Sequence, residues 1–257
     1  MQTKIFNAAA ILSALAAVQA SPAPIQRRSI LPALPESADE IELKFQPKLD
    51  FDTDGCYNTA AIAADGNTNN GADQTGTPQG NCRDPHQLEN SNVYSRARCN
   101  NGKCAIMYEY YFEKDQNANG IYGGGHRHDW ENVVVFTEGD KIIRVAPSAH
   151  DGYVASNEFP TDGNSPLIVY HKDGIKNHCF RFANDADIGG VENFSGSFYR
   201  SPVIGWNHWP EGLRETLLKN FGGDDIPKPK LSDDKFGEFL AKAAGDQVPG
   251  FDPNVDG

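Results

Sequence analysis

The chain has 257 residues, 35 of them acidic against 23 basic, and a net charge of −12 with histidine neutral. A field of that sign repels nucleic-acid backbones and anionic lipid surfaces alike, so no nucleic-acid partner is expected and any membrane contact must rest on specific recognition. No run after the N-terminal leader approaches the ~20 apolar residues of a membrane helix, and the length suits one domain.

Residues 1–20 read as a secretory signal peptide: Lys4 supplies the positive start, Ala8 to Val18 the apolar stretch, and Val18-Gln19-Ala20 the cleavage site. Residues 21–28 read as a short propeptide ending in the dibasic pair Arg27-Arg28. Removing both segments takes away three basic residues and no acid, so the net charge falls from −12 to −15. A single domain then spans 29–257. In a secreted, extracellular chain the five cysteines imply two disulfides and one leftover thiol.

Ile41 to Phe45 reads as the first strand. It is followed by Asp50-Phe51-Asp52-Thr53-Asp54-Gly55, whose alternating acids and glycine match the opening of a calcium loop. The twelfth position is Ala61 rather than Glu, so Asp50, Asp52 and Asp54 form a possible second calcium site and not a full EF-hand. The stretch Asp65 to Gly80 has few apolar anchors. A Cys56–Cys82 bridge around it contributes roughly 3.5 kcal/mol by loop-closure entropy. In Cys99-Asn100-Asn101-Gly102-Lys103-Cys104, Asn101-Gly102 is the favoured two-residue hairpin turn. Cys99 then faces Cys104 at a non-hydrogen-bonded pair, close enough for a disulfide.

Ala105 to Phe112, Glu131 to Phe136, Lys141 to Ala146, Leu167 to His171 and His178 to Ala183 are further strand-like runs. Gly, Asn, Asp and Pro clusters separate them, which is the punctuation of an antiparallel β-sandwich. Ile106, Tyr108, Tyr110 and Phe112 share one apolar face. Cys179, among alternating apolar neighbours, reads as a buried strand thiol. Asn193-Phe194-Ser195 is an N-glycosylation acceptor. Trp206 and Trp209 read as core residues, with sugar stacking as their other use. Leu213, Leu217, Leu218 and Phe221 recur at helical spacing between Pro210 and Gly222-Gly223. Phe236, Phe239, Leu240 and Ala243 predict a second helix with Ser232 as N-cap. From about residue 245 a loose tail is expected.

The densest chemistry is Gly125-His126-Arg127-His128-Asp129-Trp130-Glu131, led by Gly123 to Gly125. Desolvating unpaired charges costs several kcal/mol each, so such a segment needs a metal, a ligand or mutual pairing. If it is extended, His126, His128 and Trp130 share one face and Arg127, Asp129 and Glu131 the other. His-x-His suits zinc, whereas Asp-x-Glu suits a hard cation such as Mg²⁺ or Ca²⁺. A Gly-rich connection from Asn117 to Gly125 can bring Asp115 beside Asp129. Spacing leaves the metal open. There is no Gly-x-Ser-x-Gly, His-Glu-x-x-His or phosphate loop. A metal-dependent hydrolase built on His126, His128, His150, His171, His178 and Asp129 is the enzymatic alternative.

These residues together resemble the necrosis- and ethylene-inducing-peptide-like proteins, secreted toxins of plant-associated fungi, oomycetes and bacteria. Their heptapeptide is intact from Gly125 to Glu131. The segment before it is matched by Ala105-Ile106-Met107-Tyr108 and Tyr111-Phe112-Glu113-Lys114-Asp115. The acidic turn, the Cys99/Cys104 pair, Tyr170 to Gly174 and His178 to Phe182 are similar to the family's second type.

The resemblance implies a mainly β, non-enzymatic protein, a sandwich flanked by helices and similar to actinoporins and fungal lectins. It implies that Asp115, His126, Asp129 and Glu131 line an acidic cavity holding a divalent cation, with Trp130 and His128 behind it and Arg127 bracing the carboxylates. The implied target is the sugar head group of plant inositol-phosphoceramide sphingolipids, with plasma-membrane damage and necrosis in eudicots. Ala105 to Glu131 is implied to carry the pattern detected by plant immune receptors. A non-toxic, lectin-like glycolipid binder or immune elicitor is the other reading.

Overall fold

The computed structural model describes residues 30–120, 124–223 and 226–256. The signal peptide and the dibasic site read from the sequence lie outside the described residues, as does part of the Asn117–Gly125 connection. In chain order the elements begin with α1 (Glu40–Lys44), β1 (Lys48–Phe51), α2 (Pro85–Glu89), β2 (Val93–Asn100) and β3 (Lys103–Asp115). They continue with β4 (His126–Glu138), β5 (Lys141–Ala149), β6 (Gly152–Tyr153), β7 (Thr161–Asp162), β8 (Ser165–Lys172) and β9 (His178–Phe182). The last are α3 (Asp185–Gly189), β10 (Val203–Gly205), α4 (Leu213–Asn220) and α5 (Phe236–Ala244). The molecule is mainly β with few helices.

Two sheets face each other. One runs β10-β2-β3-β4-β5-β6, and the other joins β1, β8 and β7, with β9 also paired to β8. The alternation in β3 explains the layering. Ile106, Tyr108, Tyr110 and Phe112 point into a core shared with Phe51, Ile168, Tyr170 and Phe180 of the smaller sheet. Ala105, Met107 and Tyr111, on the opposite face, pack beneath Leu213, Leu217, Phe221, Phe236 and Leu240. β3 is thus buried on both sides, which is why Ala105 to Phe112 is apolar or aromatic but for Glu109.

The sheets are mixed, a correction to the purely antiparallel expectation: β1 runs parallel to β8, and β10 parallel to β2. The expected strand at Ile41 to Phe45 is the helix α1. Asp39 and Glu42 close a capping box, and Ile41 and Phe45 sit one helical turn apart. α5 starts at Phe236 with Lys235 in the N-cap position. Ser232 instead makes a turn: its carbonyl accepts from the Lys235 and Phe236 N–H groups, and its hydroxyl donates to the Pro229 carbonyl. The tail is docked rather than loose. Val248 and Phe251 are buried, and Asn100 Nδ2 donates to the Asp252 and Val255 carbonyls at 2.8 and 2.6 Å.

Both disulfides are formed, Cys56–Cys82 and Cys99–Cys104. The second sits directly across the β2–β3 hairpin. Cys179 is free and buried on β9, and burial pushes its thiol up to about 12, which leaves it inert.

Candidate functional site

β3 ends and β4 begins side by side at one end of the larger sheet's two central strands, and the acids of the heptapeptide gather there. The β3–β4 register is continuous through Phe112↔Asp129, Lys114↔Arg127 and Asp115↔His126, but no pair forms between Glu113 and His128. At that position His128 adopts φ +59°, the left-handed region. The kink breaks the two-residue alternation. His126 therefore joins Asp129 and Glu131 around one cavity instead of sharing a face with His128 and Trp130, which corrects the extended-strand expectation. Gly125 makes the entry possible: its φ is +89°, and a Cβ there would run into the Asp115 carbonyl oxygen.

His128 points the other way. Its Nδ1 is 2.7 Å from the Tyr111 hydroxyl, and its ring meets Phe221 edge-on. Trp130 is buried among Tyr94, Tyr111 and Phe221, so both residues pack behind the site. Arg127 does not brace the carboxylates. It pairs with Asp73 and donates to the Asn70 carbonyl, tying the disulfide-closed 56–82 loop to the heptapeptide. Gly71 of that loop comes so close that a Cβ would lie 2.7 Å from His128 Cε1.

The cavity, about 320 Å³, is bordered by Asp115, His126, Asp129 and Glu131, and its lining also includes Ser148, His150, Asp151, Tyr153, His178, Lys230 and Phe239, with Trp130 reaching it from behind. Three carboxylates are buried here: Asp115 is 2 % exposed, Asp129 6 % and Glu131 8 %. Burial, followed by the charge of Asp115, raises the Asp129 pKa. Burial and Asp129 in turn raise Glu131. Each acid has protein donors. Asp115 accepts from the His178 N–H at 3.1 Å and from His178 Nδ1 at 2.8 Å. Asp129 accepts from the Trp130 N–H and the Tyr170 hydroxyl, and Glu131 from the Ser148 hydroxyl.

These donors satisfy lone pairs, but burial and the closeness of the other carboxylates still make it costly to ionise all three acids together. His126 Nδ1 lies 2.7 Å from the His128 carbonyl, which can only accept, so Nδ1 carries a hydrogen and the neutral ring has its lone pair on Nε2. The oxygen-rich set with one poised imidazole fits a hard divalent cation in its chemistry. Among the described residues, however, no three His, Cys, Asp or Glu side chains are gathered closely enough to grip an ion between them.

The acidic turn is a different case. Asp50 is 1 % exposed, and its carboxylate accepts from the Glu192 and Asn193 N–H groups and from Asn193 Nδ2. Asp52 pairs with Arg181 at 3.3 Å, and Asp54 lies 3.7 Å from His178 Nε2. The three carboxylates already have partners and do not converge, so they build a clamp rather than the expected calcium loop. Asn193 is part of it: both its amide hydrogens are used, on Asp50 and on the Ser197 carbonyl, which closes the glycosylation acceptor in the folded chain. Trp206 carries the guanidinium groups of Arg96 and Arg214 against its ring, and Trp209 stacks on Tyr94 at 5.1 Å. Both belong to the packing.

Sequence reasoning missed Ser148, Tyr153, Lys230 and Phe239 as cavity residues, because each arrives from a distant element. The one signal was Glu109, an acid in the middle of an apolar strand. It holds the Lys230 segment by accepting from the Lys230 and Leu231 N–H groups.

Residues 39–243 match the model of the family described as necrosis inducing protein (NPP1). The chain belongs to this family. The necrosis-inducing protein NPP1 of Phytophthora nicotianae is 34% identical over 257 aligned positions, covering 94% of this chain and 97% of that protein. NLPPya, solved in complex with mannosamine, has a TM-score of 0.66 at 31% identity, over 83% of this chain and 95% of that one. The non-toxic HaNLP3 protein has a TM-score of 0.67 at 31% identity, over 84% and 97%. As a member of the necrosis-inducing family, the chain stands among proteins named as effectors and not as enzymes. No helix among its described residues is long and apolar enough to cross a membrane.

Proposed function

We propose that this protein is a secreted, cytolytic effector whose acidic cavity holds a divalent cation, Mg²⁺ or Ca²⁺, and through it the sugar head group of a plant inositol-phosphoceramide sphingolipid. Damage to the plasma membrane and necrosis in eudicots follow, and plant receptors detect the Ala105–Glu131 region. One observation carries this reading: three buried carboxylates and a tautomer-fixed imidazole share one open cavity, whose lining has Lys230 as its single lysine or arginine. The relative bound to mannosamine adds that a protein of this fold takes a sugar. The two-layer arrangement is the scaffold expected of an actinoporin- or lectin-like binder, and the two disulfides suit an extracellular site of action.

Asp115, His126, Asp129 and Glu131 would hold the cation. Their spacing calls for an ion that keeps some of its waters, as Mg²⁺ does. The bound ion would offset the acidic cluster and accept sugar hydroxyls in place of water. The residues themselves do the rest: His128 and Trp130 fix the strand, Ser148 and Tyr170 orient Glu131 and Asp129, and Tyr153 and Phe239 offer rings beside the opening.

Asp129→Ala is expected to abolish leaf necrosis and dye leakage from vesicles of plant sphingolipid while far-UV dichroism stays unchanged, and EDTA should act likewise on the parent protein. Undiminished leakage by folded Asp129→Ala would remove the site from the mechanism. The resemblance to non-toxic HaNLP3 favours one second reading, head-group binding without cytolysis. Vesicle binding without leakage would establish it.

A further inference from the structure

Lys230 is the one lysine on the cavity wall, and nothing in the cation site requires it. Its ammonium has little to do inside the protein: Nζ lies 3.3 Å from the Lys228 carbonyl and 5.1 Å from the centre of the Phe239 ring. Among the described residues no carboxylate comes within ion-pair distance of it. Its charge is nevertheless felt by Glu131 and Glu109.

The segment carrying Lys230 is fixed at some cost. Glu109, fully buried on β3, accepts the Lys230 and Leu231 N–H groups at 2.8 and 3.1 Å. An acid in that position is expensive, and what it achieves is to fasten the backbone of Lys230 to the sheet floor beside the cavity. The cavity therefore has two poles. Acids and His126 form one, and an ammonium resting on Phe239 forms the other, with the Tyr153 ring between sheet and helix.

We infer that Lys230 is a specificity-determining residue: it pairs with an anionic substituent, carboxylate or phosphate, on the sugar whose hydroxyls meet the cation pole. Glu109 is its positioning residue. The inference rests on the sugar-binding reading above. A neutral sugar leaves the ammonium pole unused, whereas an acidic one gains a charge-assisted hydrogen bond there, which corresponds to about tenfold in affinity.

The test is calorimetric titration of the full mature chain in Mg²⁺ with glucose, glucuronic acid and glucose 6-phosphate. Lys230→Gln, Lys230→Arg and Asp129→Ala are compared after a check of folding by dichroism. The parent protein should favour at least one acidic sugar over glucose by about tenfold, and the tighter of the two identifies the substituent as carboxylate or phosphate. Lys230→Gln should bind glucose as before and lose the preference, while Lys230→Arg keeps it. A parent protein without preference, or a preference that survives Lys230→Gln, overturns the inference. The latter result would show that the acidic group binds the cation instead. Sugar binding that persists in EDTA and in Asp129→Ala would sink the cation reading and leave the Lys230 comparison intact. A parent protein that binds none of the three sugars overturns both.

Discussion

At the scale of single residues, His128 decides what the heptapeptide can do. A left-handed φ on a non-glycine residue costs on the order of 1 kcal/mol or more, and here it sends His126 into the cavity and His128 into the helix-covered core. His128→Gly keeps the backbone available and loses the Tyr111 contact and the ring packing. His128→Val forces a β-branched side chain into the same φ. Thermal unfolding with and without Mg²⁺ should show both variants destabilised. His128→Gly should retain the Mg²⁺-induced rise in Tm and His128→Val should lose it. Equal responses would mean that the kink does not place His126. The sequence named the heptapeptide residues because so many charges beside an apolar strand have few uses. It could not show the kink, since the groups that hold His128 over are Tyr111, Phe221 and the close-lying Gly71, all remote in the chain. The same limit hid Lys230.

At the scale of elements, the two disulfides do different work. Cys99–Cys104 closes a turn that Asn101-Gly102 already favours, and both partners were legible from spacing alone. Cys56–Cys82 closes a long polar loop that carries Asn70, Gly71 and Asp73 against Arg127 and His128. By loop-closure entropy the short bridge contributes about 2 kcal/mol and the long one roughly 3.5 kcal/mol. Cys56→Ser/Cys82→Ser is therefore expected to lower the urea midpoint more than Cys99→Ser/Cys104→Ser, and it alone should weaken Mg²⁺ binding. Identical effects on binding would show that the loop does not support the site. Strand periodicity was readable in β3, β4, β5, β8 and β9, whereas β1, β2 and β10, short or interrupted by polar residues, went unread although they too bury side chains. It failed at α1, where five residues fit either period and a capping box three residues wide settles the outcome.

At the scale of the whole molecule, a chain of net charge −12 stores several of its acids out of water, and this makes stability depend on pH in an unusual direction. Burial raises Glu109 to about 7, and burial raises Asp129 and Glu131 with help from a neighbouring carboxylate, Asp115 for the first and Asp129 for the second. Each of these groups holds its proton more tightly folded than unfolded. Their contribution is complete below the ordinary carboxylate range, near pH 4, and is lost as pH rises toward 7. For Glu109 alone the loss is on the order of 3 kcal/mol. Without divalent ions the free energy of unfolding in urea should therefore fall between pH 5 and pH 7.5, and Glu109→Gln should make the decline shallower. A cation in the cavity competes with the protons on Asp129 and Glu131, so Mg²⁺ should stabilise more at pH 7.5 than at pH 5 and flatten the profile further. Asp129→Ala should remove that Mg²⁺ effect and leave the part due to Glu109. A stability profile that rises with pH in EDTA would mean that these acids are ionised and compensated in the folded chain. The cavity would then have no vacancy of charge for a cation to fill.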